Sequence, residues 1–397
     1  MDTTKIGHAS QLDDIDWSFP NLSNSGIHSF HWYPATYISA IPGTIIPYLT
    51  KADDVVLDPF CGSGTTGLEA IRLGRKFIGI DTNPVALLIS EAKLKFPGPR
   101  ALKSAIERVV FDAQSVLSKE NTTHPRREEL LNWYHSETVE ELTRLLHAVL
   151  KLEDRLIRRV LLTIFSSILK NCSSQGKHWG WVCDNVRPKA NEITYKNAIL
   201  TFWNASLSFV AESGQAYDAV LVHSLETTRE KIRKRSKLLH GSCVEQIAQM
   251  KEGSVDAIVT SPPYYGVADY VKSQRLSFLW FDNDELARDM LGFRDFERLR
   301  ATEAGARSNR HRMNSHDQYL MFMSDFFYQC RRVLKVDGFM SLVIGESPSR
   351  KGTIEDLIEI AKEAGFVLHS RRGREIKSNR RRLMAKVKGE DVLIFAN

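Results

Sequence analysis

The first residues able to do chemistry in this 397-residue chain are a glycine-rich turn with an acid before it and a second acid beyond it. Asp58-Pro59-Phe60-Cys61-Gly62-Ser63-Gly64-Thr65-Thr66 follows the apolar run Val55-Val56-Leu57. Glycines 62 and 64 let a backbone approach a ligand closely, at a helix start where free N–H groups point outward. Alone, such a turn fits a plain tight bend as well as a cofactor site. Gly67 nearly completes a dinucleotide fingerprint, but Asp58 would repel a pyrophosphate and suits an ammonium group instead. Asp81 ends the next apolar run, Phe77–Ile80, where it could accept hydrogen bonds from two ribose hydroxyls. Acids at two adjacent strand ends, with no phosphate-binding lysine, point to a nucleoside with an amino-acid tail, S-adenosylmethionine.

A second constellation, Val259-Thr260-Ser261-Pro262-Pro263-Tyr264-Tyr265-Gly266, directly follows another apolar run. Two prolines lack N–H donors and cannot continue a central strand, so they fix a rigid turn at its end. A plain surface turn is the bland alternative. The functional one is a base pocket: the Ser261 hydroxyl and the Pro262 carbonyl accept from an exocyclic amine while the Tyr264 ring stacks on the base.

With these residues in view, Asp58–Thr66 resembles the cofactor motif of the amino-methylating DNA methyltransferases, and Ser261–Tyr264 resembles their catalytic tetrapeptide. His28–Leu49 is similar to the segment that packs over the methionine moiety in that family, and Leu239–Ser242 to the strand end flanking the adenine ring. The resemblance covers about 28–96 and 236–397. It implies a doubly wound, mostly parallel seven-stranded α/β sheet, S-adenosylmethionine as cofactor, and a base flipped out of duplex DNA. It also implies catalytic roles for Ser261, Pro262, Pro263 and Tyr264. The implied cofactor contacts are His31, Pro34, Asp58, Phe60, Cys61, Gly62, Gly64, Thr65, Asp81, Asn83 and Ser242. Serine at the first tetrapeptide position is associated with cytosine N4 methylation, which sets N4-cytosine before N6-adenine. By family analogy the setting is host-DNA protection in the prokaryotic cytoplasm, at the nucleoid, with a cognate restriction endonuclease as a further partner. The rivals are an RNA methyltransferase, for which no appended RNA-binding module is visible, and a catalytically silent nucleic-acid-binding protein on the same fold.

The elements that must hold these motifs alternate between strand and helix in two regions, about 52–96 and 236–397. Between them, apolar residues at 142, 145, 146, 149, 152, 156, 160, 164 and 168 recur at helical spacing, with a break near Glu153. This gives an N-terminal, cofactor-binding half over 1–99, a helical insertion over 100–235 and a catalytic half over 236–397 with a charged loop at 282–315. Little chain follows the last strand, so target recognition is expected in 100–235, in 282–315, or in both. A charged helix is expected to end at Arg229–Arg235, a turn at Val336-Asp337-Gly338, and strands at 339–344, 366–369 and 391–396.

Apolar residues make up 43% and charged ones 26%, which excludes wholesale disorder. The net charge of +6 is unevenly spread. Basic residues cluster in Arg229–Lys237, in Arg300, Arg307, Arg310, His311 and Arg312, and in Arg371–Lys388, which includes Arg380, Arg381 and Arg382. Three runs around a flipping pocket are expected to contact phosphates, with affinity falling steeply in salt. Five cysteines suggest a reducing compartment rather than a disulfide scaffold. Cys61 reads as a small filler. Cys172, His178 and Cys183 lack a CxxC pair and a fourth ligand, so no metal is expected. The acidic N-terminus has no signal-peptide pattern, and Val160–Leu169 is too short to span a membrane.

Overall fold

Val56 and Leu57 are adjacent and both fully buried, yet they belong to two different cores. A strand covered on both faces by helices reads as a continuous apolar run for this reason. The computed structural model describes residues 11–20, 22–34, 36–115, 123–175, 187–224, 228–282, 286, 295–347, 350–375 and 389–397. Its strands are β1 (Val55–Asp58), β2 (Lys76–Asp81), β3 (Ser236–His240), β4 (Val255–Thr260), β5 (Leu334–Gly345), β6 (Val367–Glu375) and β7 (Gly389–Ala396). They form one seven-stranded sheet in the order β3-β2-β1-β4-β5-β7-β6.

The first five strands across the sheet pair in parallel, and β7 runs antiparallel between β5 and β6. Strand order reverses between β1 and β4, so a crevice opens beyond their C-terminal ends, where ligands bind in open α/β sheets. Because β7 is antiparallel, its first residues lie at that same edge: Glu390 pairs with Gly345, the last residue of β5.

One face carries α1 (Ala40–Leu49), α2 (Thr65–Arg72) and α3 (Pro84–Leu94), then the insertion helices α4 (Pro99–Gln114), α5 (Ser136–Leu150), α6 (Arg155–Cys172) and α7 (Ala198–His223). All contribute to a single buried cluster, so the insertion extends the core of the sheet. Asp154 caps α6 by accepting the Ile157 N–H at 3.0 Å, at the expected break. The opposite face carries α8 (Cys243–Ala248), and, beyond the short α9 (Phe296–Thr302), α10 (Ser315–Val333) and α11 (Thr353–Glu363).

Three expectations change. The charged segment before β3 is a separate short helix, Arg229–Lys234, rather than the end of a long one. Val336-Asp337-Gly338 lies inside β5: the register steps from Val255↔Leu334 to Ala257↔Phe339, so the extra residues bulge out of a continuous strand. β6 continues to Glu375, because cross-strand pairing with β7 carries charged residues that have no apolar period of their own.

Candidate active site

The glycine turn and the Pro-Pro turn meet at the reversal point. Both line one cavity of about 570 Å³, whose wall includes Phe60, Cys61, Gly62, Thr65, Asp81, Asn83, Ser242, Ser261 and Pro263. Pro34 joins them from the segment preceding α1, with Tyr33, Thr36 and Tyr37 beside it. Gly62 adopts φ +48°, and its N–H donates to Asp81 Oδ2 at 2.9 Å. Gly64, at φ +77°, is needed for a different reason than expected: a Cβ there would sit 2.8 Å from Ser90 Oγ, so the glycine serves packing against α3 rather than ligand approach.

Asp81 Oδ1 accepts the Asn83 N–H at 2.8 Å, leaving further lone pairs toward the cavity. Burial pushes its carboxyl up to about 6, against the pull of the Asn83 and Gly62 N–H groups. Burial likewise drives the Cys61 thiol well above its ordinary range, helped by the charges of Asp81 and Asp58, so it stays protonated.

Asp58 does not face the cavity. It is 1% exposed; Oδ1 accepts from Thr260 Oγ1 at 2.6 Å and from the Phe60 N–H at 3.1 Å, and Oδ2 accepts from Thr66 Oγ1 at 2.6 Å. With its lone pairs turned to these groups, it ties the cofactor turn to the residue before Ser261 and is not placed to meet an ammonium group. His31 also lies off the wall: its Nε2 is 2.8 Å from Ser166 Oγ on α6 and its Nδ1 2.7 Å from the Trp32 carbonyl. Burial lowers its pKa to about 4, so the ring is neutral and joins the N-terminal segment to the insertion.

Tyr264, expected to offer its ring to a base, is 2% exposed and absent from the wall. Its hydroxyl accepts from Ser261 Oγ at 3.1 Å and donates to Glu390 Oε1 at 2.9 Å, while Arg374 Nη1 holds Glu390 Oε2 at 2.7 Å. The wall residue at this end is Tyr270, whose hydroxyl accepts the Tyr264 N–H at 3.4 Å. Pro262 is buried, and the Pro263 carbonyl accepts from the Tyr319 hydroxyl at 2.9 Å.

Described residues of the charged loop form part of the cavity wall. Arg298, Leu299, Thr302, Glu303 and Ala304 line it, and the Gly305 carbonyl accepts the Gly266 N–H at 2.7 Å. Glu303 Oε1 accepts the Tyr270 N–H at 2.5 Å. Burial pushes the Glu303 carboxyl up to about 8, opposed by that N–H and reinforced by Asp269. Sequence reasoning missed Tyr270 and Glu303. An aromatic six residues after Tyr264 offered a weak signal for the first, and nothing set Glu303 apart within a charged run.

The basic runs divide. Arg229 lies 3.7 Å over the Tyr217 ring, Arg233 donates to the Lys95 carbonyl at 2.7 Å, and Arg235 pairs with Asp53 at 2.8 Å. These groups close the C-terminal end of α3 and the start of β1, so these three arginines have structural partners, while Lys231, Lys234 and Lys237 of the same run are exposed. Arg300 pairs with Glu297 at 2.9 Å. Arg307 and Arg310 are half-buried, whereas Arg312 is exposed. Arg371 pairs with Asp391 at 2.7 Å. Arg380, Arg381 and Arg382 lie outside the described residues, as do His178 and Cys183. Among the described residues no group of three metal-binding side chains occurs, and no helix is long and apolar enough to cross a membrane.

The residues present fit an S-adenosyl cofactor. Thr65 Oγ1, buried on the cavity wall, has no hydrogen-bond partner and is free to donate to a carboxylate. Asp81 stands at the second strand end, with Gly241 and Ser242 across the cavity.

Comparison with known proteins agrees. The chain is 22% identical over 286 residues to the Type II methyltransferase M.BsoBI of Geobacillus stearothermophilus, covering 68% of this chain and 55% of that protein. It is 24% identical over 288 residues to M.AvaI of Nostoc sp., covering 70% and 57%. Over a shorter stretch of 50 residues it is 58% identical to M2.LlaDCHI of Lactococcus lactis subsp. cremoris, 13% of this chain and 19% of that one. The chain thus spans little more than half the length of the longer-matching relatives. A family model described as DNA methylase, covering N6- and N4-methylating enzymes, matches residues 6–92 and 255–394, both sides of the insertion. Type II enzymes of this family take their methyl group from S-adenosylmethionine. On this match, and on the single cavity shared by its two motifs, the chain belongs to the N6/N4 DNA methylase family.

Proposed function

We propose that this chain methylates the exocyclic amine of a base flipped out of duplex DNA, cytosine N4 in preference to adenine N6, using S-adenosylmethionine. The observation that carries the proposal is the convergence of Gly62, Asp81 and Ser261 on one cavity. Asp81 would accept from the ribose hydroxyls, Thr65 would donate to the carboxylate of the amino-acid tail, and Ser242 would stand on the adenine side. When bound, S-adenosylmethionine supplies a sulfonium methyl group, electrophilic enough for direct transfer.

An exocyclic amine is a poor nucleophile because its lone pair is delocalised into the ring. Ser261 Oγ and the Pro262 carbonyl accept hydrogen bonds from its two N–H groups and favour a tetrahedral nitrogen with a localised lone pair. Fixed acceptors and fixed geometry supply most of the rate. After transfer the nitrogen loses a proton to solvent. The Cys61 thiol takes no part. Serine at position 261 favours cytosine, and duplex DNA is the substrate that the family implies.

The test is transfer of labelled methyl from S-adenosylmethionine to unmodified duplex DNA, followed by digestion to nucleosides. Labelled N4-methylcytosine is expected, with a loss of at least about 100-fold in Ser261→Ala. Labelled N6-methyladenine alone would overturn the base preference, and absence of label in DNA would overturn the activity.

A further inference from the structure

We propose that Glu390 and Arg374 are a buried positioning pair that fixes Ser261 as a pure hydrogen-bond acceptor, so that the turn selects bases with an exocyclic amine over bases with a carbonyl at the same place. This inference rests on the methyltransferase reading above.

The argument follows the direction of each hydrogen bond along a chain of four side chains. Arg374 has donors only, so Glu390 Oε2 must accept from it, at 2.7 Å. Both are nearly sealed from water, at 6% and 5% exposed, and a proton placed on Glu390 would strand the Arg374 charge in that setting. Glu390 Oε1 therefore accepts as well, and its partner at 2.9 Å is the Tyr264 hydroxyl, which must donate. Burial first, and the Glu390 charge second, hold the Tyr264 phenol well above its ordinary range, so that proton stays in place.

Having donated its one proton, the Tyr264 oxygen can only accept, and Ser261 Oγ donates to it at 3.1 Å. The serine proton is thus committed inward. What Ser261 shows to the cavity is lone pairs alone, and these match an amine N–H and repel a carbonyl oxygen. A serine without this arrangement would rotate and donate to a carbonyl equally well.

The sheet topology explains why the pair stands there. Arg374 and Glu390 are direct cross-strand partners on β6 and β7. The antiparallel course of β7 starts it at the edge where β4 delivers Ser261. Tyr264 then acts through its hydroxyl as the link, and its buried ring is the spacer that carries this hydroxyl from the turn to the strand.

The experiment compares wild type, Glu390→Gln, Glu390→Asp, Arg374→Met and Tyr264→Phe. Methyl transfer to unmodified genomic DNA gives kcat and KM, and calorimetry gives the affinity for S-adenosylhomocysteine. The site methylated by wild type is then placed in duplexes whose target base is native or replaced by its carbonyl counterpart, uracil for cytosine or hypoxanthine for adenine, and binding of the two is compared. Wild type is expected to prefer the amine by at least about 10-fold. Tyr264→Phe and Glu390→Gln should lose most of that preference and about 10-fold or more in kcat, with S-adenosylhomocysteine affinity within about twofold of wild type. Glu390→Asp should recover part of both. Should Glu390→Gln or Arg374→Met unfold, Tyr264→Phe, which deletes one oxygen atom, still carries the test. An unchanged amine preference in Tyr264→Phe, with wild type active, would overturn this inference alone. A wild type that transfers no methyl would overturn the methyltransferase reading and this inference with it.

Discussion

Asp58 accepts the hydroxyl of Thr260 at 2.6 Å, joining residues 202 positions apart in the chain. One end of this bond belongs to the cofactor turn and the other immediately precedes Ser261, so the two halves of the candidate site share a single buried carboxylate. Thr260→Val keeps the shape and removes the hydroxyl, leaving Asp58 Oδ1 with only the Phe60 N–H. The cost is about 1–3 kcal/mol of stability for an under-satisfied buried acceptor. Burial already raises Asp58 to about 6 from 3.8, and the Thr260 hydroxyl acts to lower it. The folded chain therefore holds this proton at higher pH than the unfolded chain, and stability falls as pH rises from 3.8 through about 6. Without Thr260 the window extends upward. Urea unfolding of both proteins at pH 5 and pH 8 should show the larger deficit at pH 8, and an equal deficit would refute the linkage.

Asp81 makes a second pH-dependent prediction. Its carboxyl, raised to about 6 by burial, must ionise to offset the positive charge of S-adenosylmethionine and to accept fully from ribose hydroxyls. Affinity for S-adenosylmethionine should rise between pH 5 and pH 7.5 and then level off. Asp81→Asn should bind about 10-fold more weakly and lose most of this pH dependence. Calorimetry across that range checks it, with His240→Gln as a control because His240 lines the same cavity.

What the sequence revealed of the site was local. Gly62, Asp81 and Ser261-Pro262-Pro263 stand out because strand ends, glycine turns and paired prolines declare themselves within a few residues. Within the insertion, the pair α5 and α6 and the break before Asp154 were equally legible from apolar spacing. What stayed hidden depended on pairing across the sheet. Arg374 and Glu390 meet only through the β6–β7 register, and Asp58 meets Thr260 only because β1 and β4 are neighbours. His31 was hidden by a contact away from the sheet, since its partner Ser166 lies 135 residues away on a helix of the insertion. The Arg229–Arg235 run illustrates the ambiguity of charge: carbonyl groups at a helix end attract guanidinium groups as phosphates do, and sequence does not distinguish them.

That division among basic residues predicts two different mutant behaviours in DNA binding. Arg233→Met should remove the bond to the Lys95 carbonyl and cost about 1–2 kcal/mol of stability. It should leave the salt dependence of DNA affinity unchanged. Arg312→Ala, at an exposed position beside the Pro-Pro turn, should leave stability unchanged and lower the slope of log affinity against log salt by about 1. Titrations at several salt concentrations separate the two, and identical slopes for wild type and Arg312→Ala would remove this residue from the phosphate contacts.

Glu303 yields the prediction of largest span in pH. Its carboxyl is pushed up to about 8 from 4.5, chiefly by burial on the cavity wall beside Tyr270. Between those two values the folded chain keeps a proton that the unfolded chain has lost, so stability declines as pH climbs from 4.5 through about 8. Glu303→Gln imitates the protonated form at every pH and escapes that decline. Its melting temperature should match wild type near pH 5 and exceed it increasingly up to pH 9. The amide oxygen can still accept the Tyr270 N–H, so the loop should remain seated on the segment that follows the Pro-Pro turn. A difference in melting temperature that stays constant from pH 5 to pH 9 would show that Glu303 is ionised in the folded chain throughout, and that the cavity wall is wetter there than its burial implies.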